Sequence, residues 1–474
     1  MSKTQPARGM RDFLPADVRR REYVIGVIRE VYERYGFEPL ETPAVENIET
    51  LLGKYGEEGN QLIFKILKRG EHEKSGEADL ALRYDLTVPL ARVVAHYRGK
   101  LPSPIKRYQI QPVWRADRPG RGRFREFYQC DVDIVGLHSM VIEAQLCAAA
   151  GEALSRLGFT NFTIRLNHRE VLTGLLDKAG ISPDKHDHAL IALDKLDKKG
   201  RDGVKKEFAE RGIEEDAGNE LLTFFERITE LEHSANVFVD ENIEVERERR
   251  NGAILGRLVE FIEDHEIGTQ GIDELRLILK FAAANGIAAQ IKVDPSLARG
   301  LSYYTGAIME INVPDLAGSL GGGGRYDNLI GMFLEQDIPA CGFSLGLERI
   351  IVVMTEREMF PPTLVSSSAD ILVTIWGEEG KEPVEESITH SIALARELRA
   401  SGLRVDLDLE PTRGGWYGYT RERRIPFFTV IRSEQRERGE VTLVDMREDK
   451  PQDEKIERER VVMTVLEKLN RQSQ

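Results

Sequence analysis

The segment that most restricts the fold is a pair of strand-like runs, 113–116 and 124–135, separated by a loop that contains Pro119, Gly120 and Gly122. Proline and glycine interrupt strands and permit reversals, so this pattern predicts a β-hairpin with a long connection. Arginines lie on or beside the loop at five positions: Arg115, Arg118, Arg121, Arg123 and Arg125. The sequence therefore predicts a hairpin with a basic rim.

The second run alternates polar and apolar residues, and successive side chains of a strand point to opposite faces. One face is predicted to carry Gln129, Asp131 and Asp133, and the other Cys130, Val132 and Ile134. Guanidinium groups at the rim and carboxylates along one face suit a ligand with both phosphate and cationic parts. A solvated hairpin with surface salt bridges is the alternative for this segment alone.

The bulk properties indicate a folded chain of several domains. A length of 474 residues suggests about three units, and 41% hydrophobic with 31% charged residues is typical of globular proteins. No apolar run approaches the ~18 residues of a membrane helix, and the N-terminus lacks a signal-peptide core, so we expect a cytosolic location. The three cysteines, Cys130, Cys147 and Cys341, fit neither a disulfide framework nor a zinc cluster.

The net charge of -14 opposes nonspecific binding of polyanions over the whole surface. A nucleic-acid partner would need local basic patches, and its binding would depend strongly on salt.

Composition changes along the chain predict the domain organisation. Residues 171–289 are highly charged and favour helices, which indicates an inserted helical domain, and PPTLVSSS at 361–368 has the composition of a linker. Beyond it, alternating strands and helices predict an α/β domain with a largely parallel sheet. The predicted divisions are a core in two parts (1–170 and 289–360), an insertion (171–288), a linker (361–369) and a C-terminal domain (370–474).

The run from Asp79 to Leu90 predicts a strand that leads into a helix with Pro89 in its first turn. Arg83, Asp85 and Thr87 are expected on one side of it. Asp85 could bind an ammonium group or cap the helix, and Thr87 has the better position for a cap.

Four consecutive glycines, 321–324, lack the Lys-Ser/Thr of a P-loop and the spacing of a dinucleotide-binding motif. Close approach of a ligand or a neighbouring strand could exclude side chains there, or the run could be a flexible loop. Residues 341–354 predict a strand followed by a helix. Arg349, near the start of that helix, would suit a phosphate or would simply be exposed.

In this order the segments resemble the class II aminoacyl-tRNA synthetases, and specifically the histidyl-tRNA synthetase family. Motif 1 is represented by the first helix through Pro43, motif 2 by the hairpin and motif 3 by GLER at 346–349. LARGLSYYTG (297–306) and GGGGRYDNLIG (321–331) resemble the two peptides peculiar to that family. The resemblance implies an α/β multidomain protein with an antiparallel-sheet catalytic core, a helical insertion and a C-terminal α/β anticodon-binding domain.

The resemblance also implies an activity and its residues. Histidine would be activated by ATP, with release of pyrophosphate, and transferred to the 3′-terminal adenosine of histidine tRNA. Arg115 and Arg299 would act on the α-phosphate as catalytic residues, and Arg123 and Arg349 would bind ATP. We expect Mg²⁺ on the phosphates, no protein metal ligand that the sequence identifies, and a homodimer through motif 1.

For histidine, the resemblance assigns the ammonium group to Asp85, Thr87 and Gln129. Asp133 and Tyr304 would reach the imidazole nitrogens, while Tyr326 would close the pocket. Arg299 and Tyr303 complete the predicted histidine site.

Some positions depart from the family pattern. Ser302 replaces an aspartate that is common beside Arg299, and Asp85 and Asp133 stand where some members have glutamate. The loop at 413–424 has no recognisable pattern, so the anticodon contacts stay open. The rival interpretations are a regulatory subunit of ATP phosphoribosyltransferase, a class II enzyme for proline or threonine, and a non-catalytic RNA-binding scaffold.

Overall fold

The computed structural model describes residues 4–70, 75–234, 243–298, 303–334, 336–361, 364, 367, 369–377, 384–409, 415–448 and 450–470. Arg299, Ser302 and part of the 413–424 loop lie outside these residues. The chain divides into two compact units, Met1–Met359 and Phe360–Gln474. No helix among the described residues is long and apolar enough to cross a membrane.

The first unit contains eleven of the strands and the helices that cover them. Its strands are β1 (Glu38–Pro39), β2 (Val45–Asn47), β3 (Lys65–Leu67), β4 (Ala78–Leu82), β5 (Ile105–Trp114), β6 (Glu126–Val135), β7 (Thr163–His168), β8 (Ile291–Val293), β9 (Ala307–Asn312), β10 (Ser319–Arg325) and β11 (Ala340–Gly346). Its helices are α1 (Pro15–Arg34), α2 (Ile48–Leu51), α3 (Gly56–Gln61), α4 (Thr87–Tyr97), α5 (Val141–Arg156), α6 (Arg169–Lys178), α7 (His186–Leu193), α8 (Leu196–Glu210), α9 (Glu215–Ser234), α10 (Ile243–Ile262), α11 (Glu266–Ala284) and α12 (Leu347–Glu356).

An eight-stranded sheet forms the centre of this unit, in the order β1-β5-β6-β11-β10-β9-β7-β8. The six inner strands pair antiparallel, and only the outer pairs, β1 with β5 and β7 with β8, are parallel. A separate, smaller sheet of the first unit has the strand order β2-β4-β3. An antiparallel core, as the resemblance implied, is therefore confirmed.

The predicted hairpin is β5 and β6, but its first strand is longer than expected. It begins at Ile105 rather than at residue 113, and ends at Trp114. The alternation along β6 is as predicted, because Gln129, Asp131 and Asp133 line a cavity, whereas Cys130, Val132 and Ile134 are buried and do not line it. Pro43, the last residue of the segment that resembles motif 1, lies between β1 and β2.

The glycine run is not a flexible loop but most of β10, a central strand between β9 and β11. A Cβ at Gly321 would lie 2.5 Å from the carbonyl oxygen of Ser344, and one at Gly323 would collide with that of Gly342. Gly321, Gly322 and Gly323 also line a cavity. Both reasons for excluding side chains, a neighbouring strand and an open binding space, therefore apply to this run.

Gly323→Ala is expected to lower the free energy of unfolding by about 3 kcal/mol, because the new methyl group overlaps the backbone of β11. Gly26→Ala is the matched control. Nothing lies within 4 Å of a Cβ at this exposed position in α1, so the same change should stabilise the protein by about 0.5–1 kcal/mol. Chemical denaturation of both variants measures the difference, and equal effects would contradict this packing.

The predicted helical insertion corresponds in content to α6 to α11, which carry the charged segments. Helix α11 packs against α6 and α5, so the insertion shares a surface with the core. The boundaries at 171 and 288 stay predictions.

The second unit is an α/β fold whose sheet is mixed, where a largely parallel one was predicted. Strands β12 (Ile371–Val373), β13 (Val405–Leu407) and β14 (Phe427–Val430) are parallel, but β15 (Glu440–Asp445) and β16 (Gln452–Glu457) pair antiparallel. The sequence pattern missed β16, because its residues are polar and mostly exposed. The helices are α13 (Glu385–Ala400), α14 (Trp416–Arg423), α15 (Ser433–Glu437) and α16 (Val461–Asn470).

Candidate active site

A cavity of about 370 Å³ lies over β6, β11, β10 and β9 in the first unit. It brings together every predicted site residue that the structure describes, from segments up to 264 residues apart in sequence. Those that line it are Asp85, Thr87, Arg115, Arg123, Gln129, Asp133, Tyr303, Tyr304, Tyr326 and Arg349. Arg299, the remaining predicted residue, is outside the described residues.

Strand register explains how the cavity floor is built. Gln129, Asp131 and Asp133 of β6 face Gly346, Ser344 and Gly342 of β11. Because these residues alternate along the strands, their side-chain positions share one face, and the row spans about 13 Å. A Cβ at Gly342 would occupy the position of the Asp133 carboxylate, so the glycine makes room for it.

Asp133 is buried at one end of this row and has two strong partners. Arg107 Nη2 lies 2.8 Å from Asp133 Oδ2, and the Tyr326 hydroxyl donates to Oδ1 at 2.5 Å. Burial raises the pKa of Asp133, whereas Arg107 and Tyr326 oppose that rise. The side chain is thus held in place by a buried cation and a phenol.

Asp85 is the helix cap that the sequence assigned to Thr87. The Val88 amide donates to Asp85 Oδ1 at 3.1 Å, and Thr87 is the first residue of α4. Tyr55 and Tyr303 also donate to Asp85, at 2.9 and 3.2 Å. Burial raises the pKa of Asp85, with the Val88 hydrogen bond and Arg115 acting against it.

Arg83, which the sequence predicted on the same side as Asp85 and Thr87, does not line the cavity with them. Its guanidinium is buried and donates to the carbonyl oxygens of Thr42 and Pro112, at 2.6 and 2.8 Å. Arg83 therefore ties β4 to neighbouring segments and has a structural role.

Asp131 is a cavity residue that the sequence prediction of the site left out, although it lies between Gln129 and Asp133 in the alternating run. Burial raises its pKa to about 7; Arg107 lowers that value and Asp133 raises it. Among the described residues, its Oδ1 atom has no hydrogen-bond partner. Its position in the alternation was the signal that could have identified it.

Asp131→Asn is expected to stabilise the unliganded protein, and more at pH 8 than at pH 5. The folded-state pKa of about 7 exceeds the ordinary 3.8, so the folded chain binds more protons between these values and loses stability as pH rises. Asparagine removes this loss, and the gain should be larger at pH 8 by on the order of 2 kcal/mol. Calorimetry at both pH values tests this, with the exposed Asp79→Asn as control. An equal gain at both pH values would contradict the raised pKa.

The other part of the cavity wall is basic. Arg115 donates through Nε to the Tyr84 carbonyl at 3.0 Å, and its guanidinium stands 4.2 Å from the centre of the Tyr84 ring. Arg349 donates to the Ser319 carbonyl and packs against the hairpin loop, since a Cβ at Gly122 would lie 3.1 Å from Arg349 Cγ. Arg123 follows that glycine directly and also lines the cavity.

The remaining hairpin arginines do not line the cavity. Arg121 is exposed and pairs with Glu356 of α12, while Arg118 is exposed. Further cavity residues that the sequence did not identify as site residues include two carboxylates and two aromatic rings: Glu310, Glu348, Phe124 and Phe127. The part of the chain that the structure describes has no group of three or more side chains able to hold a metal ion.

Comparison with known families and proteins identifies the family of the chain. A family model described as histidyl-tRNA synthetase matches residues 9–350, and one described as an anticodon binding domain matches residues 373–468. A histidine–tRNA ligase of Gloeobacter violaceus is 40% identical, over 92% of this chain and 93% of its own length. One from Flavobacterium johnsoniae is 38% identical, over 91% and 92%.

Solved structures show the same architecture. The crystal structure of histidyl-tRNA synthetase from Nostoc sp. PCC 7120 matches with a TM-score of 0.76 and 27% identity, over 99% of this chain and 100% of that one. A Bacillus halodurans protein described as an ATP phosphoribosyltransferase regulatory subunit/histidyl-tRNA synthetase matches at 0.67 and 22% identity, over 89% and 96%, and shares the fold. With a family model over residues 9–350 and a relative 40% identical over 92% of the chain, the chain belongs to the histidyl-tRNA synthetase family.

Proposed function

We propose that the cavity binds histidine at its acidic end and ATP at its arginine end, and that histidyl-adenylate forms between them. Family membership gives the overall reaction, the ATP-dependent joining of histidine to its tRNA. The observation that carries the proposal is that one cavity contains both buried carboxylates and several arginines. Asp85, Asp131 and Asp133 supply buried carboxylates, while Arg115, Arg123 and Arg349 supply cations.

The acidic end suits a small cationic substrate. Burial raises the pKa values of three carboxylates at this end. A bound cation stabilises their ionised form, so these carboxylates favour binding of a positively charged substrate. Asp85 and Gln129 would accept hydrogen bonds from the α-ammonium group. Asp133 and Tyr304 would reach the imidazole nitrogens, and a site with fixed donors and acceptors rejects apolar isosteres strongly.

The arginine end suits the triphosphate. A carboxylate oxygen of histidine attacks the α-phosphorus, the bond from that phosphorus to the leaving oxygen breaks, and pyrophosphate departs with the electron pair. Negative charge accumulates on the α-phosphate oxygens, and fixed guanidinium groups stabilise it. Arg115 would do this from its site beside Tyr84. Arg299 would act with it, as the resemblance implies.

Magnesium would fit this arrangement as a companion of ATP. Mg²⁺ prefers phosphate and water oxygens with one or two carboxylates, and the carboxylates of Glu310 and Glu348 line the cavity. When bound, the ion neutralises phosphate charge and makes pyrophosphate a better leaving group.

The second step and the assembly are also proposals. The matched anticodon-binding region at 373–468 supports histidine tRNA as the acceptor of the histidyl group. A homodimer is supported by the motif 1 resemblance and by exposed apolar side chains of the small sheet at Val45, Leu67 and Leu80. The cytosolic location stays a prediction.

Exchange of labelled pyrophosphate into ATP, measured with each of the twenty amino acids, tests this function. Exchange with histidine alone is expected, followed by charging of histidine tRNA. Exchange with proline or threonine would favour a different class II enzyme, and no exchange with any amino acid would overturn the proposal.

A further inference from the structure

A stack of alternating guanidinium groups and aromatic rings joins the N-terminal segment to the cavity wall. Arg11 Cζ lies 3.3 Å from the centre of the Phe124 ring and 4.9 Å from that of Phe13. Arg21 Cζ also lies 4.1 Å from the centre of the Phe13 ring and 4.8 Å from that of Tyr128. The order is therefore Phe124, Arg11, Phe13, Arg21 and Tyr128.

Both ends of the stack reach residues that line the cavity. Phe124 lines it directly. At the other end Arg21 Nη1 lies 2.8 Å from Glu348 Oε1, and the Tyr128 amide donates to Glu348 Oε2 at 3.0 Å. Glu348 also lines the cavity and precedes Arg349 in α12.

The backbone holds the N-terminal segment against the same loop. The Arg125 amide donates to the Gly9 carbonyl at 2.8 Å. Gly9 has a φ of +84°, and a Cβ there would lie 2.8 Å from Arg125 Cγ and 2.9 Å from Pro119 Cγ. Only a residue without a side chain allows this close approach.

We propose that Arg11 and Phe13 are positioning residues for the ATP end of the cavity. They fix the hairpin loop that carries Arg123 and, through Arg21 and Glu348, the first turn of α12 that carries Arg349. Arg11 is exposed as a whole, and burial of part of its guanidinium lowers its pKa. A guanidinium is attracted to an aromatic ring more strongly where water is partly removed.

This arrangement has a specific kinetic consequence. The acidic residues of the histidine end are Asp131 and Asp133, which lie further along β6 than Tyr128, the last residue of the stack, and Asp85, which lies just before α4. Loss of the stack should therefore weaken ATP binding and leave histidine binding nearly unchanged.

The test compares Arg11→Met and Arg11→Lys with Arg8→Met, an exposed arginine of the same segment, in histidine-dependent pyrophosphate exchange. We expect the KM for ATP to rise about tenfold in Arg11→Met, with the KM for histidine changed less than about twofold. Arg11→Lys keeps the charge over Phe124 and should restore part of the ATP affinity, while Arg8→Met should behave as the unchanged protein.

Two results would overturn the proposal. One is an unchanged KM for ATP in Arg11→Met, and the other is an equal rise of both KM values, which would indicate a general structural defect. If Arg11→Met fails to fold, a folded Arg11→Lys with an unchanged KM for ATP also overturns it.

The inference rests on the proposed ATP site, and Arg349→Gln separates the two. If Arg349→Gln raises the KM for ATP and Arg11→Met does not, the positioning role fails and the ATP site stands. If neither variant changes the KM for ATP, both proposals fail.

Discussion

Arg115→Ala is expected to lower the rate constant of histidine-dependent pyrophosphate exchange by about a thousandfold, on the order of 4 kcal/mol of transition-state stabilisation. Arg115 donates a hydrogen bond to the Tyr84 carbonyl, and its guanidinium stacks on the Tyr84 ring. Tyr84 directly precedes Asp85 in the chain. This position places a fixed cation between the proposed histidine and ATP ends. Charge that appears only in the transition state should therefore lose most of its stabilisation, with smaller effects on both KM values.

Arg118→Ala provides the control for Arg115. Both arginines belong to the same hairpin, but Arg118 is exposed and does not line the cavity. Its replacement should leave the exchange rate within about twofold, because surface charges contribute little. Equal losses in the two variants would show that the hairpin contributes only general positive charge.

Asp133→Asn is expected to reduce kcat/KM for histidine by about a hundredfold, since a neutral amide replaces a charged acceptor, which is worth on the order of 3 kcal/mol. The KM for ATP should change less than about twofold. Asparagine keeps an oxygen for the Tyr326 hydroxyl, so the variant isolates the loss of charge. Arg107 would still have a carboxylate partner, because its Nη2 lies 3.9 Å from Asp131 Oδ2. The loss of folding stability in the variant should therefore be limited.

A thermal unfolding measurement accompanies the kinetics of Asp133→Asn. If the variant keeps its melting temperature and still uses histidine as well as the unchanged protein does, Asp133 is not the imidazole ligand. A fall of the melting temperature together with both affinities would point instead to collapse of the Arg107 pair.

Sequence reasoning was most accurate where a short-range pattern sets the structure. The hairpin, the faces of β6 and the strand-to-helix passage from β11 to α12 all follow from local periodicity, and all are observed. It failed where neighbours from elsewhere in the chain decide. The glycine run was ambiguous because the strands on either side of it are distant in sequence, and the polar β16 has no apolar alternation to reveal it.

The candidate site divides in the same way. Its residue types, and the family to which they point, could be read from the order of the motifs along the chain. The partners of each side chain could not, because they depend on strand register. Asp85 rather than Thr87 caps α4, and Asp131 lies beside Arg107 together with Asp133. Arg83 donates a hydrogen bond to the Thr42 carbonyl and does not line the cavity.

The sequence by itself determined the hairpin, the alternating carboxylates and the set of motifs, because periodicity and residue type are properties of neighbouring positions. Only the tertiary structure decided that Asp131 is buried beside Asp133, that the glycines form a strand, and that Arg11 stacks on Phe124. The physical reason is that burial, hydrogen-bond partners and pKa depend on which distant segments are brought within a few ångströms. Those distances are set by the packing of the whole first unit.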